Sequence, residues 1–119
     1  MFTLSSSNRF HLYGEPTDMR KSFNGLSGIV ENELGRTPLC GDVFLFINKR
    51  RDKIKLLHWD AGGYTLYYKR LETGTFELPD YDVSDASISI SYTQMVMIID
   101  GLSIKNVHRR ERYSSTKAS

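Results

Sequence analysis

Carboxylates, a histidine beside a tryptophan, and a run of tyrosines are the residues of this chain whose types could do chemistry. Asp42, Asp52, Asp60, Glu72 and Asp100 would suit a metal-dependent nuclease if several converged within a few ångströms, as two-metal phosphoryl transfer requires. Most of them fall in turn signals instead. Asp42 precedes an apolar run, Asp52 and Asp60 bracket one strand-like stretch, and Glu72 begins another turn, all positions where carboxylates serve turn chemistry. "HWD", His58 to Asp60, invites a general base, but neighbours on a strand point to opposite faces, which directs His58 away from Trp59. Trp59 reads as a core anchor beside Tyr64. Tyr64, Tyr67 and Tyr68 alternate as an ordinary amphipathic strand does. Neither a pair of metal-holding histidines nor a glycine-rich phosphate loop with its lysine accompanies them. "GLSG" sits inside a helical pattern, without the strand-to-helix elbow of a nucleophilic serine. The residues therefore predict no catalytic set, no metal site and no cofactor.

Charge is the stronger signal, and it lies in its distribution, because the formal net charge of the 119 residues is only +2. If Asp60 to Gly63 form a hairpin turn, Trp59 pairs with Tyr64, Leu57 with Leu66, Lys55 with Tyr68 and Lys53 with Arg70 on one face. His58, Leu56 and Ile54 take the other. Alternate loops of an up-and-down sheet share an end, so Lys49, Arg50 and Arg51 of "NKRRD" come near Lys53, Lys55 and Arg70, and one pole of the sheet is basic. Lys53 opposite Arg70 is a like-charge pair, unfavourable unless a carboxylate or an anion lies between them. Asp52 or Glu72 could fill that place, as could a phosphate. A solvated, aggregation-deterring sheet end competes here with a nucleic-acid surface in which these cations and Lys69 meet phosphates and Tyr68 stacks or packs beside them. A second basic block, with Arg109, Arg110 and Arg112, lies in "IKNVHRRERYSSTKAS" and fits a flexible arm with nonspecific nucleic-acid affinity.

The elements that must position these residues follow from periodicity. In "PTDMRKSFNGLSGIVENELG", Met19, Phe23, Leu26, Val30 and Leu34 recur at three- and four-residue steps, which predicts a helix over about 17–34. Thr17 would cap it, Asp18 would meet its positive end, and Gly35 with Pro38 would stop it. After the alternating "RFHLYG", the runs separated by "NKRRD", "DAGG" and "ETGT" predict a meander of four antiparallel strands. "VFLFI" has no polar position and reads as a central strand covered on both faces, by the first helix on one of them. "SISIS" alternates, and "SYTQMVMIIDG" predicts a short helix, about 92–101, with a Ser91–Gln94 capping box and Gly101 as terminator. With 39% hydrophobic and 12% aromatic residues, the chain can bury one core. The expectation is a single α+β domain over 1–104 and a flexible basic tail over 105–119. The lone Cys40 cannot form an internal disulfide and is expected to be a small buried hydrophobe. "VFLFI" and "MVMII" are far too short to span a bilayer, so the expected protein is soluble and cytoplasmic, with no membrane partner.

The order "DMRK", "GDVFLF", "KIKLLHWD", "LYYKRLETGTF" closely resembles the small protein encoded by the second open reading frame of bacterial insertion sequences of the IS-sixty-six type. The resemblance covers about Arg9 to Ile104. Ser22 and Asn24 stand where the family more often has Gly and Asp, and the last helix is less leucine-rich. The resemblance implies an accessory factor in DNA transposition working beside a separate transposase protein, and it transfers no catalytic residue. Positions matching its motifs that could face a ligand are Asp18, Arg20, Lys21, Arg50, Arg51, Lys53, Lys55, His58, Trp59, Asp60, Tyr67, Tyr68, Lys69 and Arg70. Asp18 doubles as a helix-start residue, and Arg20 as partner to a carboxylate such as Glu15. Three expectations follow: a noncatalytic factor that holds the DNA of the element ends; a module that docks on the transposase without affinity for DNA; and, as the weakest, a cryptic nuclease with a metal at Asp42, Asp52 or Asp60.

Overall fold

The computed structural model describes residues 4–82 and 84–101. Its elements run β1 (Phe10–Tyr13), α1 (Phe23–Asn32), β2 (Val43–Ile47), β3 (Lys53–Asp60), β4 (Gly63–Arg70), β5 (Ser87–Ile90) and α2 (Tyr92–Asp100). The five strands form one sheet in the order β4-β3-β2-β1-β5. All five residues of β2 are buried, as a strand without polar positions requires, and a core lies on each side of it. Val43, Leu45 and Ile47 join Ile54, Leu56, Phe10 and Leu12 on the face that receives Met95 and Ile98 of α2. Phe44 and Phe46 join Leu57 on the face that receives Leu26 and Val30 of α1. The α+β class holds, with a helix on each face of a mostly antiparallel sheet.

The meander is shorter than the turn signals predict. β2, β3 and β4 are antiparallel neighbours, but "TFELP" adds no fourth strand. Leu71 N–H donates to the Asp52 carbonyl at 2.8 Å and Phe76 N–H to the Arg51 carbonyl at 2.7 Å. Leu71 and Phe76 are both buried in the α2-side core, so this segment turns across the end of the sheet where a strand would have extended its edge. β1 lies beside β2 in parallel, with Phe10 facing Val43 and Leu12 facing Leu45. Parallel neighbours need a long crossover, and the chain through α1 is that crossover. β5 then pairs antiparallel with β1.

α1 begins at Phe23, later than the apolar stripe predicts. Thr17 does not cap it: its N–H donates to the Ile47 carbonyl at 2.8 Å, and its hydroxyl is buried without a hydrogen-bond partner. Asp18 accepts from the Arg20 N–H at 2.9 Å, which closes a turn before the helix and leaves the first turn of α1 without an acidic residue. Met19 and Leu34 still pack against the α1-side core beside Leu26 and Val30, but Phe23 is exposed, so the stripe reports burial at every position except Phe23 while overstating helix length. At the other end Gly35 adopts φ +65° and the Arg36 N–H closes on the Val30 carbonyl at 3.0 Å, the expected left-handed stop. α2 has its capping box on Ser91 and Gln94 and a left-handed Gly101. Cys40 is exposed, contrary to the expectation of a buried hydrophobe, because the loop after α1 buries Pro38 instead.

Thr17 gives a test of this arrangement. A cap hydroxyl replaced by an isosteric apolar group costs about 1 kcal/mol, whereas removal of a buried hydroxyl with no partner is neutral or stabilising by about 1 kcal/mol. Thr17→Val is therefore expected to keep or raise the urea midpoint; a clear fall would restore the capping role.

Candidate nucleic-acid interface

The basic pole is built on the turn between β2 and β3. Asn48 organises it: its side-chain oxygen accepts from the N–H groups of Asp52 at 3.1 Å and Lys53 at 3.0 Å, and its amide donates to the Asp52 carboxylate at 2.7 Å. The Asn48 amide, against partial burial and with help from Lys53 and Arg50, holds the Asp52 carboxyl below its ordinary value. With both ends of the loop fixed, Lys49, Arg50 and Arg51 project outward and are exposed. Arg51 takes φ +60°, which turns it to a different hollow, shared with Tyr13, Leu78 and Tyr81. Asn48 was not among the predicted site residues; an asparagine opening a tight turn was its signal.

The β3–β4 register is the predicted one, with Lys53 opposite Arg70, Lys55 opposite Tyr68 and Trp59 opposite Tyr64. The Lys53–Arg70 repulsion is met within the chain. Arg70 donates from Nε and Nη2 to Glu72 Oε2 at 3.2 and 3.1 Å, and Lys53 Nζ lies 3.8 Å from Asp52. Both are partly or largely exposed pairs, a class worth at most about 1 kcal/mol.

Lys55 departs from its predicted role. It is only 5% exposed, and its ammonium donates to the backbone carbonyls of Met19 at 2.9 Å and Lys21 at 2.7 Å. It also lies 4.6 Å from the centre of the Tyr68 ring. A buried cation needs its donors filled, and the loop before α1 fills them, so Lys55 ties that loop to the sheet and does not face solvent. Lys69 departs too: it points to the α2 side and donates to the Ile99 carbonyl at 2.8 Å, at the end of that helix.

Held by Lys55, the Asp18–Arg20 turn stands opposite the hairpin tip. Arg20, Lys49, Arg50, Lys53 and Tyr68 line the groove between them, and a second hollow continues past Tyr68 to Arg70 and Glu72. Arg20 pairs with Asp18 and not with Glu15: Nη2 donates to Oδ2 at 2.7 Å, and Nε reaches both carboxylate oxygens. That contact holds the Asp18 carboxyl down at about 2. Lys21 is exposed beside this turn and contributes its carbonyl to Lys55.

The other motif positions lie elsewhere. His58 is buried on the α2 side, Trp59 meets the Tyr64 ring edge-on at 5.0 Å, and Asp60 sits at the far end of β3 from Asp52, about 26 Å away at strand rise. Those two carboxylates cannot share a metal ion. Asp42 pairs with His11 Nε2 at 2.8 Å, where His11 stacks on Phe44; the parallel β1–β2 ladder that brings them together was not legible from local pattern. Among the described residues, no group of three or more His, Cys, Asp or Glu side chains is placed to hold a metal ion. Arg109, Arg110 and Arg112 lie outside the described residues.

A family model described as IS66 Orf2 like protein matches residues 8–109. The chain belongs to that family. The match takes in every strand, both helices, the hairpin tip and the facing turn, so the groove is built wholly from the IS66 Orf2 like region. Membership carries a transposition-associated accessory role. Two curated relatives come from Sinorhizobium fredii (strain NBRC 101917 / NGR234). Uncharacterized protein y4jC is 34% identical over 105 residues, covering 88% of each chain. Uncharacterized protein y4hO is 32% identical over 101 residues, covering 85% of this chain and 84% of its own. No solved structure matches the chain significantly. No helix among the described residues is long and apolar enough to cross a membrane.

Two outcomes are expected of the groove wall. Lys55→Met keeps the apolar stem and strands two carbonyls, and should cost about 2 kcal/mol in urea unfolding; an unchanged midpoint would remove Lys55 from the structural role. The depressed Asp18 carboxyl means that its contact with Arg20 supports the turn above the ordinary value of 3.8 and is lost as pH falls through about 2. Arg20→Ala should return the Asp18 carboxyl toward 3.8 in an NMR titration of that group.

Proposed function

We propose that this protein is a noncatalytic accessory factor in the transposition of a bacterial insertion sequence, and that it holds the DNA of the element ends through phosphate contacts from Lys49, Arg50, Lys53 and Arg70. The observation that carries this reading is the groove in which four cations, Arg20 among them, surround the half-exposed Tyr68. Arg20, Lys53 and the neighbouring Arg70 each have a carboxylate within reach, but the exposed Arg70–Glu72 and Arg20–Asp18 pairs are weak enough for a phosphate to compete. Such contacts release counterions, so affinity should fall steeply with salt and discriminate little between sequences. Arg51, on the other side of the tip, and the basic block with Arg109, Arg110 and Arg112 would add charge to the encounter. The partner in the cytoplasm is a separate transposase, which would supply the chemistry.

A second reading has its own observation. Leu56, Tyr67, Met95, Val96 and Ile99 line an apolar hollow of about 310 Å³ beside α2, a surface suited to protein docking and not to phosphate. In that reading the chain binds the transposase and has no affinity of its own for DNA.

Mobility shifts of the purified protein on element-end and scrambled duplexes, over a salt series, separate the two. Reversal of Lys49, Arg50 and Lys53 to Glu is expected to abolish the low-salt shift with the thermal midpoint unchanged. Both duplexes should be retarded alike by the parent. Retardation of the reversed protein equal to that of the parent refutes the phosphate reading, and capture of the transposase without DNA by both proteins then favours docking.

A further inference from the structure

We infer that the groove is made for an unpaired strand, with Tyr68 as the platform on which one base stacks; the inference rests on the DNA-binding reading above and narrows its substrate. Tyr68 is 50% exposed, one of three large hydrophobic side chains so exposed among the described residues. Its ring is nevertheless held in place. The Lys55 ammonium lies 4.6 Å from the ring centre and is itself fixed by the Met19 and Lys21 carbonyls. Because Lys55 is buried, it occupies the inner face of the ring, and the outer face is left to solvent. A cation beneath an aromatic ring settles its orientation without consuming the surface that a ligand would use.

Tyr68 borders two hollows, and cations line both. Arg20, Lys49, Arg50 and Lys53 line one with it; Lys53 and Arg70 line the other. A row of phosphate-seeking charges interrupted by one flat aromatic surface is the pattern of single-strand binding, where backbone contacts alternate with base stacking. A duplex keeps its bases stacked on one another and would offer Tyr68 only sugar and phosphate, so the ring would add nothing to duplex affinity. Trp59 and Tyr64 do not duplicate the platform, since they pack edge to face on one another and Tyr64 also stacks on Phe23, at the opposite end of β3.

The experiment measures anisotropy of a labelled oligothymidine and of a labelled duplex of equal length with the full chain, in the parent, Tyr68→Leu, Tyr68→Trp and the Lys49, Arg50, Lys53 reversal. The oligothymidine is expected to bind more tightly than the duplex at equal salt. Tyr68→Leu should weaken oligothymidine binding by roughly tenfold and leave the duplex within about twofold. Tyr68→Trp should keep oligothymidine affinity, with tryptophan emission quenched beyond that of the parent, and this arm stands if the leucine variant proves unstable. Unchanged oligothymidine binding by Tyr68→Leu with loss in the reversed protein overturns the stacking role alone and leaves the phosphate reading intact. Equal weakening of both probes by Tyr68→Leu likewise overturns the preference for an unpaired strand. If the parent binds neither probe, both readings fall together.

Discussion

β2 has no face to give to water, and that constraint shapes the rest of the molecule. Val43, Leu45 and Ile47 need a cover on one side and Phe44 and Phe46 on the other, so a sheet this small must carry a helix on each face. The crossover that brings β1 parallel to β2 delivers α1 to one face. The return through β5 delivers α2 to the other. With both faces occupied, charged side chains concentrate at the ends of the strands. The turn after β2 is the end at which Lys49, Arg50, Arg51, Lys53 and Arg70 collect.

Lys55 links that architecture to the groove. A lysine in the middle of a strand, on a covered face, would be costly without partners, and Met19 and Lys21, in the non-helical segment before α1, supply them. Their carbonyls would be internal hydrogen-bond acceptors if the helix began at Thr17. The delayed start of α1 at Phe23 and the burial of Lys55 are therefore two sides of one arrangement: the loop stays open because the ammonium takes its carbonyls, and the ammonium can be buried because the loop is open. The same arrangement places Arg20 across from the hairpin tip and orients Tyr68.

Much of this was legible in local pattern. The β3–β4 register, the double cover of β2, the capping box of α2 and the Gly35 stop all follow from short-range chemistry, and each appears where that chemistry puts it. What escaped depends on contacts distant in sequence. Lys55 looks like every other lysine of the hairpin until its face is known to lie under the 17–21 loop. Lys69 looks free until α2 ends above it. The pairing of His11 with Asp42 needs the parallel ladder, which no turn signal announces. "TFELP" has strand-like composition, but Leu71 and Phe76 are both drawn into one core, and that pull bends the segment off the edge of the sheet.

The like-charge pair of Lys53 and Arg70 is the last point at which these levels meet. Each has a carboxylate neighbour, but the two are not equivalent. Asp52 is committed first to Asn48, at 2.7 Å, and only loosely to Lys53, at 3.8 Å, because its task is to hold the turn. Glu72 holds Arg70 more closely, yet both side chains are about 60% exposed, so water screens the contact. The repulsion is thus relieved enough for the hairpin to form and too weakly for the charges to be spent. An incoming phosphate would displace Glu72 at little cost and would meet Lys53 with no competitor at hydrogen-bond distance among the described residues. A pole neutralised by buried, well-made ion pairs would have offered a polyanion nothing; one neutralised by loose surface pairs keeps its attraction for phosphate while remaining stable without it.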